Sequence, residues 1–166
     1  SRKKRDGERK TAIVLTCEHG GNKIPAAYRS LFSGADVVLK SHRGWDPGAL
    51  AVAEAMAQRL GSHLFSSTTS RLLVELIRSL WHNSLFSNYT ALLSETQQQQ
   101  IVDQYWRPYR DEVTAHLEEL VNAGRRVIHV SIHSFTPVWD GKPRRTRIGL
   151  LYDPRRLNER SFCNAW

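Results

Sequence analysis

Two histidines from opposite ends of the chain each stand just after a short apolar run, His19 in TCEHGGNKIP behind AIVL and His133 in VSIHSF. With Asp46 of SHRGWDPGA they make two imidazoles and a carboxylate drawn from three separate segments. That is the donor set of a catalytic zinc site, which keeps a fourth position open for water. Each residue also has an ordinary use. His19, in a glycine turn, can hydrogen-bond the backbone. His133 shares a period of two with His129 and Ser131, which puts all three on one strand face. Asp46 suits a helix N-cap, a role compatible with offering an oxygen to a metal. His42, four residues earlier, competes for the same place. No HExxH or CxxC pattern is present to decide by local spacing.

Cys17 offers another chemistry, a thiolate nucleophile served by His19 or His133. Against it stands the common fate of a small side chain buried at a strand end. Arg71 and Arg78 lie seven apart in SRLLVELIRS. On a helix they share a face, and on a strand they point to opposite faces. As a pair they suit a clamp on a carboxylate or developing oxyanion, and singly they are solvated charge.

Such distant residues meet only if the fold gathers loops at one edge. TAIVLTC reads as a buried strand closed by Gly20 and Gly21; ADVVLK, HLFSST, RRVIHVSIHSF and TRIGLLYD read as further strands. DPGALAVAEAMAQRLG is punctuated as a helix, with Asp46 as N-cap, Pro47 at the first helical position and Gly61 after the end. From Ser94 to about Ala123 the chain is helical in composition, opened by the capping box SETQ and closed by Gly124, with Pro108 predicted to kink or divide it. RLLVELIRSL fits a strand or a helix. Strands alternating with helices predict an α/β domain with a largely parallel central sheet and helices on both faces. Ligands in such sheets bind beyond the carboxyl ends of the strands, so His19 and His133 fall on one rim.

At 166 residues the chain is one ordinary domain, able to bury roughly two-thirds of its unfolded surface. Its composition is that of a soluble globular protein. No apolar stretch approaches the roughly 20 residues that span a bilayer, and no membrane partner is expected. The net charge of +8 raises the question of nucleic acid. Residues 1–10, SRKKRDGERK, hold six of the cations and read as a disordered basic arm, leaving 11–166 as a single α/β domain. A second basic group, GKPRRTR with Arg155 and Arg156, suits a small anionic substrate, Arg147 being its candidate contact. Neither cluster carries an aromatic RNA signature or zinc-finger spacing, so nucleic acid is not expected as a partner. Two cysteines make no disulfide framework and no secretory core precedes them, which makes the cytoplasm the default location. The initial Ser and a final Trp166 inside a helical stretch suggest that both ends are cut. Nothing in the sequence speaks to oligomeric state.

Six segments in order, CEHGGNKIP, HRGWDPGA, SRLLVELIRSLWHNSLFS, YWRPYRDEV, VSIHSFTP and RIGLLYDPRR, resemble the N-formylglutamate amidohydrolase family, relatives of the zinc carboxypeptidases and aspartoacylases. They run from about Thr11 to Arg156. The resemblance implies a three-layer α/β/α fold with a mixed, largely parallel sheet, phosphorylase/hydrolase-like and zinc-exopeptidase-like. It also implies a hydrolase holding one zinc per chain and cleaving N-formyl-L-glutamate to formate and L-glutamate in histidine catabolism. Carried over by position, His19, His133 and the Asp46 of WDxGA are the metal ligands, with Glu18 and Asn22 as substitutes. Arg71 matches the Arg of the SR motif and is the candidate catalytic, carbonyl-polarising group. Arg78 matches the last Arg of a DLNR pattern and, with Asn22 and Arg147, is a candidate for binding substrate. Glu18 is the local candidate for the general base.

The chain departs from the family where DLNR reads ELIR, with Glu75 for Asp and Ile77 for Asn. Losing one buried hydrogen-bond partner costs about 1–3 kcal/mol. Family members also run on past this chain, and in the related carboxypeptidases the general-base Glu lies late in the sequence. The domain is therefore expected to be truncated at its C-terminus. Three functions stay open: a zinc amidohydrolase of N-acyl amino acids, a degenerate relative that binds carboxylates, and a cysteine hydrolase.

Overall fold

The computed structural model describes residues 10–166, so the basic arm up to residue 9 lies outside the described residues. The chain forms two compact units, one ending at Phe135 and the other Thr136–Trp166. In chain order the first unit contains β1 (Thr11–Cys17), a 3-10 helix (Ala26–Phe32), α1 (Asp36–Lys40), α2 (Ala49–Leu60), β2 (His63–Ser66), α3 (Glu95–Ile101), α4 (Arg107–Asn122) and β3 (Arg126–Ser131). The second contains the antiparallel pair β4 (Val138–Trp139) and β5 (Lys142–Pro143), then α5 (Leu157–Ala165).

The first unit is α/β, built on a three-stranded sheet in the order β2-β1-β3 with both neighbours parallel to β1. Successive β1 side chains point to opposite faces. Val14 packs with Phe65 and with Val113 of α4, while Cys17 packs with Ala49 and Ala53 of α2. The central strand is thus covered on both sides, which is what a continuous apolar run requires.

α2 ends at Gly61, as its punctuation predicts, but its start differs. Gly48, at φ 82, takes the cap position, and no side chain caps the helix. A left-handed turn that glycine adopts without strain therefore begins the helix after Asp46 and leaves that carboxylate free. ADVVLK is helical rather than extended, as α1. Ala35, Val38 and Leu39 pack into the core, and their i, i+3, i+4 spacing overrides the strand preference of two valines.

RLLVELIRSL is neither strand nor helix. It runs as turns, yet Leu72, Leu73, Val74 and Leu76 are buried with Phe32, Ile101 and Trp106 in the largest apolar cluster. Two of its carbonyls are satisfied from outside: the Thr90 hydroxyl donates to Leu73 O at 3.1 Å and the Ser87 hydroxyl to Leu72 O, while the Ser70 hydroxyl accepts from Leu72 N–H at 3.2 Å and donates to Gly44 O at 2.9 Å. The long helical stretch opens on the Ser94–Gln97 capping box and divides where Pro108 predicts, through a π-helical turn at Val102–Trp106 between α3 and α4. Proline has no N–H for the carbonyl four residues back, and the wider turn absorbs the mismatch. TRIGLLYD forms no strand; a strand needs a ladder partner, and among the described residues this segment pairs with none. No helix of the described residues is long and apolar enough to cross a membrane.

Candidate metal centre

β1 and β3 run side by side with Thr16 opposite Ser131, and the Ile132 N–H extends the ladder to Thr16 O at 2.8 Å. His19 and His133 each come two residues after the last residue of their strand, so parallel pairing delivers both to one rim. The loop carrying His19 is laced to the exit of β2, with Lys23 N–H on Thr68 O and Ser70 N–H on Lys23 O, both at 2.9 Å. A Cβ at Gly21 would come within 2.6 Å of Thr68 O, so only glycine allows this approach. Asp46 is brought in by its own N–H, which donates to His19 O at 2.9 Å.

Three ligand atoms converge there. His19 Nδ1 lies 3.2 Å from His133 Nδ1 and 3.5 Å from Asp46 Oδ2, and His133 Nδ1 lies 2.8 Å from the same oxygen. Ligands held at 2.0–2.1 Å by a tetrahedral zinc stand about 3.3 Å apart, so the set fits such an ion with little adjustment. His19 and Asp46 are buried, while His133 is exposed, which leaves one side of the group open. The far nitrogen of His19, Nε2, contacts a Glu75 carboxylate oxygen, and Asp46 Oδ1 accepts from Arg71 Nη2. A ring whose Nε2–H is given to a carboxylate presents its Nδ1 lone pair inward, the usual arrangement behind a metal-bound histidine.

The electrostatics favour positive charge at this point. Burial alone would raise the Asp46 carboxyl, but its contacts with His133 and His19 and the Arg71 charge hold it far below the usual carboxylate range. Burial alone would lower His19, and its contacts with Asp46 and Glu75 raise it instead. Among the described residues, His19, Asp46 and His133 form the one group able to hold a metal ion, and His42 is not part of it.

The model of the N-formylglutamate amidohydrolase family matches residues 11–161. The chain belongs to that family. A solved structure of an Agrobacterium tumefaciens gene product is similar to it at 34% identity and a TM-score of 0.81, over 97% of this chain and 67% of that one. No curated protein matches it.

Within this amidohydrolase-family chain, the other sequence candidates fall in different places. Arg71 touches the His19–Asp46–His133 group through Asp46, and its buried Nε has no partner among the described residues. Arg78 is exposed one turn after Glu75, in a bend tied down by Trp106 Nε1 on Arg78 O at 2.9 Å. The side-chain N–H of Asn22 is used on Leu39 O at 3.1 Å. Arg147 lies in the second unit and is exposed. Glu18 is buried behind His133: its Oε2 accepts from the Ser131 hydroxyl at 2.7 Å and lies 3.7 Å from His133 Nε2, the nitrogen facing away from the convergence. Cys17 is fully buried, and burial, aided by the charges of Glu18 and Asp46, pushes its thiol up to about 11, which removes the thiolate reading.

Two residues of the centre, Glu75 and Ser131, were given no role by sequence reasoning, although Glu75 stands where the family pattern has Asp. A signal for Glu75 was present: one carboxylate inside the apolar run LLVELI must either be paired or leave the core. Ser131 carried only its period-two relation to His133.

Proposed function

We propose that the chain is a metal-dependent hydrolase acting on the amide of an N-acyl amino acid, with N-formyl-L-glutamate the first candidate and one zinc held by His19 Nδ1, His133 Nδ1 and Asp46 Oδ2. The observation that carries the reading is the convergence of those three atoms at near-tetrahedral spacing with Glu75 behind His19. Zinc there would lower the pKa of a bound water to about 7 and polarise an amide carbonyl. Arg71 holds the second oxygen of Asp46 and keeps a buried donor, Nε, for a substrate carbonyl or the oxyanion that develops from it. Exposed Arg78 is free among the described residues to pair with a substrate carboxylate, and the amide of Asn22, with one N–H on Leu39 O, keeps its oxygen for a secondary contact. For Glu18, acceptance from Ser131 behind His133 favours holding that ring over acting as general base. A three-layer, zinc-exopeptidase-like arrangement is part of the same reading, supported by α2 and α4 packing on opposite faces of β1. A cytoplasmic setting and a place in histidine catabolism belong to the same reading.

One observation favours a second reading, a carboxylate-binding module without turnover. Ile77, 41% exposed beside Glu75, offers no hydrogen bond where the family pattern has Asn. Formate release separates the two. The zinc-loaded chain is expected to release formate from N-formyl-L-glutamate and to stop when zinc is chelated. Binding of the substrate without release would favour the module, and neither binding nor release would end both readings.

A further inference from the structure

We propose that Ser131 is the positioning residue for His133, accepting the ring's Nε2–H while donating its own hydrogen to Glu18, and so turning the Nδ1 lone pair toward Asp46 and His19. The inference rests on the metal reading above and deepens it.

A serine hydroxyl has one hydrogen and two lone pairs. Ser131 Oγ stands 2.7 Å from Glu18 Oε2 and 2.8 Å from His133 Nε2, so it makes both bonds and can donate in only one. If it donated to His133, its lone pair would face a carboxylate oxygen with no proton between them. A carboxylate oxygen accepts, and the Ser131 hydroxyl is placed to donate to Glu18 Oε2. The serine must then accept from Nε2–H, which leaves Nδ1 unprotonated and available to a metal.

His133 needs such a device more than His19 does. The His19 side chain is 1% exposed and meets the Glu75 carboxylate directly, so packing and charge hold it together. The His133 side chain is 36% exposed at the end of the edge strand β3. Packing alone does not distinguish its ring from the half-turned one, in which carbon would replace Nδ1 at the convergence. The bond to Ser131 does. The period of two along β3 puts Ser131 and His133 on one face, and the register sets Ser131 opposite Thr16, beside Glu18.

Cobalt(II) titration of the full chain reads both affinity and, through the visible absorption bands, ligand geometry. Ser131→Thr keeps the hydroxyl, and Ser131→Val has the same shape without it; both suit a strand, so neither is expected to prevent folding. Ser131→Thr should bind within about threefold of the unmodified protein with the same bands, and Ser131→Val and Ser131→Ala about 10- to 100-fold more weakly with altered bands. Equal affinity and identical bands for Ser131→Val and Ser131→Thr would overturn the positioning role while leaving the metal reading intact. An unmodified protein that takes up no cobalt would overturn both.

Discussion

At the rim of the sheet, His19 and His133 are set in place by a parallel ladder in which backbone groups satisfy one another; in residues 70–90, Arg71 and Glu75 are set in place by turns in which the carbonyls of Leu72 and Leu73 depend on the hydroxyls of Ser87 and Thr90. Both regions deliver side chains to the same buried carboxylate–imidazole group. They differ in what each can lose. A ladder distributes its bonds over many residues, so its side chains are free to carry chemistry. The turn-built stretch concentrates the same task in a few hydroxyls, and each one left out strands a buried carbonyl.

The comparison is strained most by cutting into the two cores. Leu73, in the turns, and Leu15, in β1, are both 0% exposed. Leu73→Ala and Leu15→Ala should each lower the unfolding free energy by about 2–5 kcal/mol in urea titration. A Leu73→Ala cost under about 1 kcal/mol would mean that the irregular stretch is not true core. The next effect isolates the hydroxyls. Thr90→Val preserves shape but leaves Leu73 O without its partner, and about 1–3 kcal/mol should be lost in the same titration. Thr114→Val, on the exposed side of α4, should change stability by no more than about 0.5 kcal/mol. If the two valines behaved alike, the dependence of the turns on side-chain donors would be wrong.

What was legible in the sequence divides along the same line. The β1 run, the Gly61 stop, the SETQ capping box and the break near Pro108 are local patterns, and the structure has each of them. Two strands ending beside one another were enough to bring His19 and His133 to one rim. The segments that misled are those whose conformation comes from remote contacts. ADVVLK became a helix because Ala35, Val38 and Leu39 meet a core from elsewhere in the chain. Asp46 lost its cap role because Gly48 starts the helix later, and its carboxylate turns instead to His133 and Arg71. Glu75 and Ser131 act through partners 56 and 113 residues away, His19 and Glu18, separations over which spacing carries no signal.

The central claim is that one metal ion sits where three ligand atoms converge. Anomalous diffraction at the zinc edge from crystals grown with zinc tests it most directly. One peak is predicted per chain, about 2 Å from His19 Nδ1, His133 Nδ1 and Asp46 Oδ2, and absent in His133→Ala. A zinc-soaked crystal with no peak there, or with zinc bound through other residues, would contradict the account.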